Sequence, residues 1–217
     1  MDSKIKNIGL GNSYLNNIMY ELRDHQVQQD RLRFRTNLEK LGEILGYEIS
    51  KALTYKTERV QTPLGELDMN LIANQPVIVS ILRAGLPLHN GFLRLFDKAY
   101  NGFVGAFRRT TKGNEFIIKV EYAAMPELED KSLILVDPMI ATGRSLVLSY
   151  RQIVEQFGEP EQVFIAGVVA SEEGLEHVRR NIPKADIYVT AIDHELTAKA
   201  YIVPGLGDAG DLAFGPK

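Results

Sequence analysis

The amino-acid sequence predicts an α/β fold built around a parallel sheet, and two observations support this. Short runs rich in Val, Ile and Leu recur through the middle of the chain, at residues 76–82, 102–107, 132–136, 163–170 and 187–191. Segments of helical length lie between several of them, at residues 86–99, 145–157 and 172–181. Continuous apolar runs are typical of strands covered on both faces, and intervening helices indicate right-handed βαβ crossovers. Ligands of such sheets bind beyond the carboxyl ends of the strands, so we expect the functional residues in the loops that follow them.

The remaining elements are predicted outside this alternation. Residues 30–47 carry apolar side chains at a spacing close to helical, which predicts a helix. Residues 54–60 predict a short strand that ends in a turn at residues 62–65. The polar stretch after residue 107 predicts a β-hairpin and not a crossover helix. A long polar excursion from the ligand end of a sheet is often a mobile lid.

Composition and charge limit the class of protein. The chain has 217 residues, 45% of them hydrophobic, which is typical of a globular domain and not of a disordered chain. Its net charge of −3 gives no basic signature, so nucleic acid is not an expected partner. The absence of cysteine excludes disulfides, thiolate metal sites and cysteine nucleophiles. We find no membrane-length apolar run and no signal peptide, and therefore expect a cytoplasmic protein without a membrane partner.

The first motif follows the predicted strand at 132–136. That strand delivers Asp137, a loop of small residues follows, and a helix begins near Ser145. Backbone N–H groups of such a loop and of the helix N-terminus form an anion site. The hydroxyls of Thr142 and Ser145 could donate to a monophosphate, and Asp137 could accept hydrogen bonds from sugar hydroxyls. From these residues alone, a purely structural strand–turn–helix connection fits equally well.

Two further motifs carry candidate ligand contacts. Arg83 ends the strand at 76–82 and precedes Ala84 and Gly85, so its planar guanidinium could bind phosphate oxygens. A solvated arginine at a strand end is the alternative. The C-terminal segment 200–215 contains four glycines, one proline and two acids, which could expose backbone donors and acceptors in a compact loop. An irregular, poorly ordered tail is the alternative there.

The amino-acid sequences of the three motifs resemble the corresponding motifs of type I phosphoribosyltransferases, and within that class those of the uracil phosphoribosyltransferase family. The first motif reads Asp-Pro-Met-Ile-Ala-Thr-Gly-Arg-Ser, the second Ile-Leu-Arg-Ala-Gly-Leu, and the third Tyr-Ile-Val-Pro-Gly-Leu-Gly-Asp-Ala-Gly-Asp. The resemblance runs from about residue 77 to the C-terminus, or about two thirds of the chain. The sequence departs from the family at Arg144, where a second glycine is common, and in the predicted hairpin, which lacks the usual Tyr-x-Lys-Leu-Pro string.

The resemblance implies a fold and an activity. The fold would be a single domain with a parallel-sheet phosphoribosyltransferase core at about residues 70–195. It would have a β-hairpin lid and a hood built from the N- and C-terminal segments, about residues 1–69 and 196–217. The activity would be transfer of phosphoribosyl from phosphoribosyl pyrophosphate (PRPP) to N1 of uracil, giving UMP and pyrophosphate. We expect Mg²⁺ to arrive bound to PRPP, without direct protein ligands.

The resemblance also assigns residues and partners. It assigns PRPP binding to Arg83, Arg108, Asp137, Pro138, Met139, Ile140, Ala141, Thr142, Gly143, Arg144, Ser145 and Asp208. It assigns uracil binding to Ile202, Gly207, Asp208 and Ala209, and catalytic roles to Asp137, Arg83 and Asp208. The protein would form a homodimer or homotetramer. Arg31, Arg33 and Arg35 are expected to form a solvated face or subunit contacts, and the alternative is that this arginine cluster binds a nucleotide effector such as GTP, as related enzymes do.

Two other functions are possible on the same fold. A regulator on the same fold could sense PRPP or UMP and bind RNA, but the net charge of −3 argues against it. An enzyme for another base is disfavoured by the C-terminal motif. Asp193, after the last core strand, is expected above the base or ribose. We also expect a non-proline cis peptide bond at or near Arg83–Ala84, because a phosphate-binding loop must direct several backbone amides at one ligand.

Overall fold

The structure, a computed structural model, describes residues 4–110 and 116–216, and the side chains of all of these except 106–110 and 116–121. Its α-helices are α1 (Tyr14–Arg23), α2 (Arg31–Ser50), α3 (Gly85–Leu95), α4 (Arg144–Phe157), α5 (Glu172–Asn181) and α6 (Ala209–Phe214). Its strands are β1 (Ile5–Asn7), β2 (Tyr55–Thr62), β3 (Gly65–Ile72), β4 (Val77–Leu82), β5 (Tyr100–Thr110), β6 (Phe116–Ala124), β7 (Ser132–Val136), β8 (Met139–Ile140), β9 (Gln162–Ser171), β10 (Asp186–Asp193), β11 (Glu195–Leu196) and β12 (Ile202–Val203).

The central sheet confirms the predicted α/β class. Its strand order is β1-β10-β9-β7-β4-β5-β6, and the neighbours along it are parallel except for the antiparallel pair β5 and β6. Every residue of β7 is buried, as is nearly every residue of β4 and β9, which is the pattern that continuous apolar runs predict. One apolar cluster includes side chains of α1, α2 and α3, and a second includes side chains of α4 and α5.

Most predicted core elements differ from the observed ones only at their ends. The strand predicted at 132–136 and the helix predicted at 172–181 have the observed bounds. The largest difference is in α3, predicted to reach residue 99, which ends at Leu95 because Phe96 leaves helical geometry. Caps set several starts: Asp30 and Ser171 accept hydrogen bonds from the first-turn amides of α2 and α5. The predicted hairpin is present as β5 and β6, while its role as a lid stays a prediction.

Other features were not predicted. β1 pairs in parallel with β10, so the N-terminal segment contributes an edge strand to the core sheet. The strand predicted at 54–60 is one arm of a separate two-stranded sheet formed by β2 and β3. The division into a core and a hood stays a prediction. Within the described ranges, we find no helix long and apolar enough to cross a membrane.

Glycines set the distance between α2 and the core. A Cβ on Gly91 would lie 1.9 Å from the Glu39 carbonyl oxygen, and one on Gly42 would lie 2.2 Å from that of Leu88. Both contacts are far inside van der Waals distance, so α2 and α3 can cross this closely only with glycine at these two positions. The close crossing holds α2, and with it the N-terminal segment, against the sheet.

Candidate active site

The three sequence motifs converge on one cleft at the carboxyl ends of β4 and β7. The cleft has a volume of about 470 Å³ and is lined by residues from the segments 81–84, 137–145 and 199–210. The first segment ends β4 and the second follows β7, at the edge where parallel α/β sheets bind ligands, and the third contains β12 of the small sheet β11–β12. The cleft is therefore the candidate active site.

The structure brings most, but not all, of the predicted residues to the cleft wall. The predicted residues that line the cleft are Arg83, Asp137, Met139, Ala141, Ser145, Ile202, Gly207, Asp208 and Ala209. The loop residues Pro138, Ile140 and Gly143 are buried, Thr142 is half-buried and Arg144 is exposed, and none of these five is part of the lining. The side chain of Arg108 lies outside the described residues. The binding roles of all these residues stay predictions.

The loop between β7 and α4 has the geometry of an anion site. Gly143 caps α4 with φ of 70°, and no side chain caps that helix start, so the first-turn amides remain available for a ligand. A Cβ on Gly143 would lie 2.7 Å from the Gly174 carbonyl oxygen, so both space and backbone conformation require glycine there. Ser171 links the loop to the start of α5, since its hydroxyl donates to the Ala141 carbonyl and accepts from the Gly174 N–H.

Asp137 presents its carboxylate where β7 ends. Its backbone N–H donates to the Ala166 carbonyl at 3.1 Å, which keeps the residue in register with β9. Its Oδ1 accepts a hydrogen bond from the Met139 N–H at 3.2 Å, which orients the carboxylate. The side chain is half-buried and lines the cleft. A carboxylate fixed in this way can accept hydrogen bonds from hydroxyl groups of a ligand.

Arg83 follows a non-proline cis peptide bond, Leu82–Arg83, which confirms the expectation of one at or near Arg83–Ala84. Its Nη2 lies 3.2 Å from Asp211 Oδ1 and 3.1 Å from the Gly215 carbonyl oxygen. Its Nε is buried and has no hydrogen-bond partner among the residues that the structure describes. The guanidinium thus bridges the cleft to α6, a contact that the sequence motifs did not predict.

The C-terminal segment closes the other side of the cleft. Ile202, Leu206 and Ala209 are buried in the core, while Gly207 and Asp208 are exposed beside the cavity. Buried and exposed residues are thus interspersed along the segment, and this supports the compact loop over a poorly ordered tail. Asp208 caps α6 through a 3.0 Å hydrogen bond from the Asp211 N–H to Oδ1.

Some features of the site were missed or wrongly placed by sequence reasoning. Lys199 and Tyr201 line the cleft, although no motif marked them as ligand contacts. Asp193, expected above the base or ribose, is not part of the cleft lining. It is 7% exposed and is paired with Arg23. Within the described part of the chain, no three His, Asp or Glu side chains gather into a metal-binding group.

Comparison with known proteins gives a consistent result. The family model for uracil phosphoribosyltransferase matches residues 10–216. A uracil phosphoribosyltransferase from Porphyromonas gingivalis is 44% identical over 215 residues, covering 99% of both chains. One from Pyrococcus furiosus is 39% identical over 205 residues, covering 93% of this chain and 86% of the relative. The solved structure of the AQ2163 protein from Aquifex aeolicus is 30% identical and covers 97% of this chain and 98% of that one, with a TM-score of 0.85. The chain belongs to the uracil phosphoribosyltransferase family.

Proposed function

We propose that this protein transfers the phosphoribosyl group of PRPP to N1 of uracil, producing UMP and pyrophosphate. The observation that carries the proposal is the convergence, in one cleft, of an anion loop, an arginine and a glycine-rich C-terminal segment whose Gly207 and Asp208 are exposed. The first two suit the phosphates of PRPP, and the third suits a neutral planar base. Membership of the uracil phosphoribosyltransferase family supports the same assignment.

The proposed chemistry needs positioning and charge stabilisation, and no covalent nucleophile. The bond between C1 of the ribose and pyrophosphate breaks as N1 of uracil arrives on the opposite face, and the proton on N1 is released. Amides of the loop at 141–145 hold the 5′-phosphate, and Asp137 accepts hydrogen bonds from the ribose hydroxyls. Arg83 and Arg108 offset the charge of the departing pyrophosphate, and Asp208 lies near PRPP.

Mg²⁺ fits this arrangement as an ion carried in by PRPP. Mg²⁺ prefers oxygen ligands and keeps several waters, and the cleft presents the carboxylates of Asp137 and Asp208 beside the space for PRPP. When bound, the ion would neutralise charge on the pyrophosphate oxygens. Asp208 is the more accessible of the two to such an ion, because its side chain is exposed whereas that of Asp137 is half-buried.

Base selection provides the test of the proposed function. We expect the purified protein to form UMP from uracil and PRPP, and to use cytosine at least about 30-fold less efficiently, because two mispaired groups cost about 1–3 kcal/mol each. The N4 amino group of cytosine donates where O4 of uracil accepts, and its N3 accepts where N3–H of uracil donates. A radiochemical panel of uracil, cytosine, hypoxanthine and orotate with PRPP measures this. Turnover of hypoxanthine or orotate in place of uracil would support an enzyme for another base, and absence of turnover would favour a regulator.

We also propose that the protein forms a homo-oligomer, and the β2–β3 hairpin supports this. Residues opposite each other in the pair share a face, which places Val60, Leu67, Met69 and Leu71 together. Leu67, Met69 and Leu71 are 45%, 43% and 42% exposed, and the Lys56–Glu58 ion pair lies beside them on the same face. An isolated hairpin is marginally stable in water, and exposed apolar side chains clustered next to an ion pair suit a contact surface. We propose that it packs against a second copy of the chain.

Light scattering on the purified protein tests the hairpin contact. We expect at least a dimer for the wild type and a smaller species for the double variant Leu67→Glu/Met69→Glu, because two charges would be buried in the contact. Asn70→Glu, on the polar face of the same strand, is the matched control and should keep the wild-type mass. A monomeric wild type, or an unchanged mass in the double variant, would rule out this contact.

Location and regulation stay proposals as well. We propose that the protein works in the cytoplasm, with which the absence of cysteine is consistent. A nucleotide effector such as GTP stays a prediction. Arg33 pairs with Glu21, and Arg35 donates to the Ala213 carbonyl, so two of the three candidate arginines already contact other parts of the chain.

A further inference from the structure

A polar network joins three distant segments beneath the C-terminal wall of the cleft. The guanidinium of Arg23, at the end of α1, pairs in bidentate fashion with Asp193, at the end of β10, with N–O distances of 2.8 and 2.9 Å. Gly205 completes the network with both of its peptide groups. Its N–H donates to Asp193 Oδ2 at 2.9 Å, and its carbonyl accepts from Arg23 Nη1 at 2.9 Å.

The network is largely withdrawn from water, so its geometry is tightly determined. The side chains of Arg23 and Asp193 are 25% and 9% exposed. A buried ion pair is tolerated when the geometry is good and further hydrogen bonds satisfy the remaining polar groups, as Gly205 does here. Burial alone would raise the pKa of Asp193, but hydrogen bonds from Arg23 and the Gly205 N–H outweigh it and hold the pKa below its usual value. Asp193 is therefore ionised at neutral pH, as the pair requires.

Gly205 connects the Arg23–Asp193 pair to the wall of the cleft. It has φ of 57°, and a Cβ there would lie 2.2 Å from the Ile202 carbonyl oxygen, so the turn from Ile202 to Gly205 is tight. Ile202 and Gly207, on either side of the turn, line the cleft. Gln28 adds a second support to the network, because its amide donates to the Arg23 carbonyl at 3.0 Å.

We propose that Arg23 and Asp193 are positioning residues for base recognition, which fix the peptide groups between Ile202 and Gly207 against the uracil edge. This rests on the proposed function, and it extends the site to residues that do not line the cleft. Backbone groups cannot adjust by changing rotamer, so their accuracy depends on what anchors the chain around them. A small displacement would weaken two directional hydrogen bonds to the base while leaving the loops for PRPP, which lie on other strands, in place.

Steady-state kinetics of Arg23→Lys, Asp193→Asn and the double variant test the proposal. Lysine cannot reproduce a bidentate pair, and asparagine removes the charge that Arg23 needs. We expect KM for uracil to rise about tenfold in each single variant, with kcat and KM for PRPP changed less than about threefold. The preference for uracil over cytosine should fall as well. The double variant should resemble the single ones, because each substitution breaks the same network.

Controls separate positioning from general stability. Arg94→Lys alters an exposed arginine that pairs with Glu39 and Glu43 on α2, far from the cleft lining, and should leave every constant unchanged. Gln28→Ala keeps the ion pair and removes only the hydrogen bond to the Arg23 carbonyl, so it should raise KM for uracil about threefold in a stable protein. Should Arg23→Lys and Asp193→Asn fail to fold, Gln28→Ala decides.

The outcomes are distinguishable from failure of the proposed function. If the wild type forms no UMP from uracil and PRPP, the proposed function itself is wrong. If the wild type is active, the proposal is overturned by folded variants with wild-type KM for uracil and wild-type base preference. An equal rise in KM for uracil and for PRPP would also overturn it, since that result indicates a general loosening of the cleft.

Discussion

Asp137→Asn is expected to lower kcat/KM for PRPP by about 1,000-fold, because hydrogen bonds to a charged group contribute about 1.5–3 kcal/mol each and the proposed function gives this carboxylate two ribose hydroxyls to bind. The fold should persist. Asparagine keeps an Oδ1 that can accept from the Met139 N–H, and it is nearly the same size. The loss is therefore one of charge at a fixed position, not of the loop that presents it.

Steady-state kinetics with varied PRPP and saturating uracil measure the effect, and thermal unfolding checks the fold. Asp186→Asn is the matched control, because Asp186 is also half-buried but begins β10, at the amino-terminal end of the parallel strands, opposite the cleft. It should retain wild-type kcat/KM. A folded Asp137→Asn variant with wild-type kcat/KM for PRPP would show that the carboxylate does not bind the ribose.

The core of the fold was predictable because it is determined by local pattern. The runs that became β4, β7 and β9 are continuously apolar, and burial on both faces is the environment that such runs need. α1 was missed because its apolar residues, Leu15, Ile18, Met19 and Leu22, sit in a short and otherwise polar helix. α6 was missed because it has only six residues, between Gly207 and Gly215, and so short a segment shows weak helical periodicity.

The site was predictable only as far as each motif carries its own chemistry. Asp137, Arg83 and the tail near Gly207 stand out because acids, arginine and glycines at strand ends have recognisable uses, and the fold brings them to one cleft. The supporting contacts leave no such local signal. Arg23 and Asp193 are 170 positions apart, and each is an ordinary charged residue at the end of its element. Lys199 likewise reaches the cleft only through the path of the chain after β11.

Arg83 illustrates the same limit, since its motif suggested a phosphate contact but not its partners in the free protein. Here the guanidinium contacts the Asp211 carboxylate and the Gly215 carbonyl. The ion pair is partly exposed, with side-chain exposures of 36% and 43%, so it contributes little to stability. Pyrophosphate carries more negative charge than a single carboxylate, so it can displace Asp211 without a large loss of folding free energy.

Arg83→Ala is therefore expected to lower kcat/KM for PRPP by a factor on the order of 100 to 1,000, because two charge-assisted hydrogen bonds to pyrophosphate are lost. The kcat/KM for PRPP of Arg83→Lys should lie between those of the wild type and Arg83→Ala, since lysine keeps the charge and loses the planar guanidinium. KM for uracil should change less than about threefold at saturating PRPP, because the proposed base contacts come from the C-terminal segment and not from Arg83. The measurement is initial rate against PRPP concentration, together with inhibition by pyrophosphate, which should weaken in parallel.

Asp211→Asn is the matched test of this interpretation, since it removes the carboxylate that competes for Arg83 and leaves the arginine in place. If Arg83 exchanges Asp211 for pyrophosphate, this variant should bind PRPP as well as or better than the wild type. If instead Asp211 holds Arg83 in its working position, the variant should resemble Arg83→Ala in its KM for PRPP. An Arg83→Ala variant with wild-type kcat/KM and wild-type inhibition by pyrophosphate would exclude Arg83 from the pyrophosphate site. Another cation at the cleft would then have to bind pyrophosphate, and Lys199, which lines the cleft, is the candidate among the described residues.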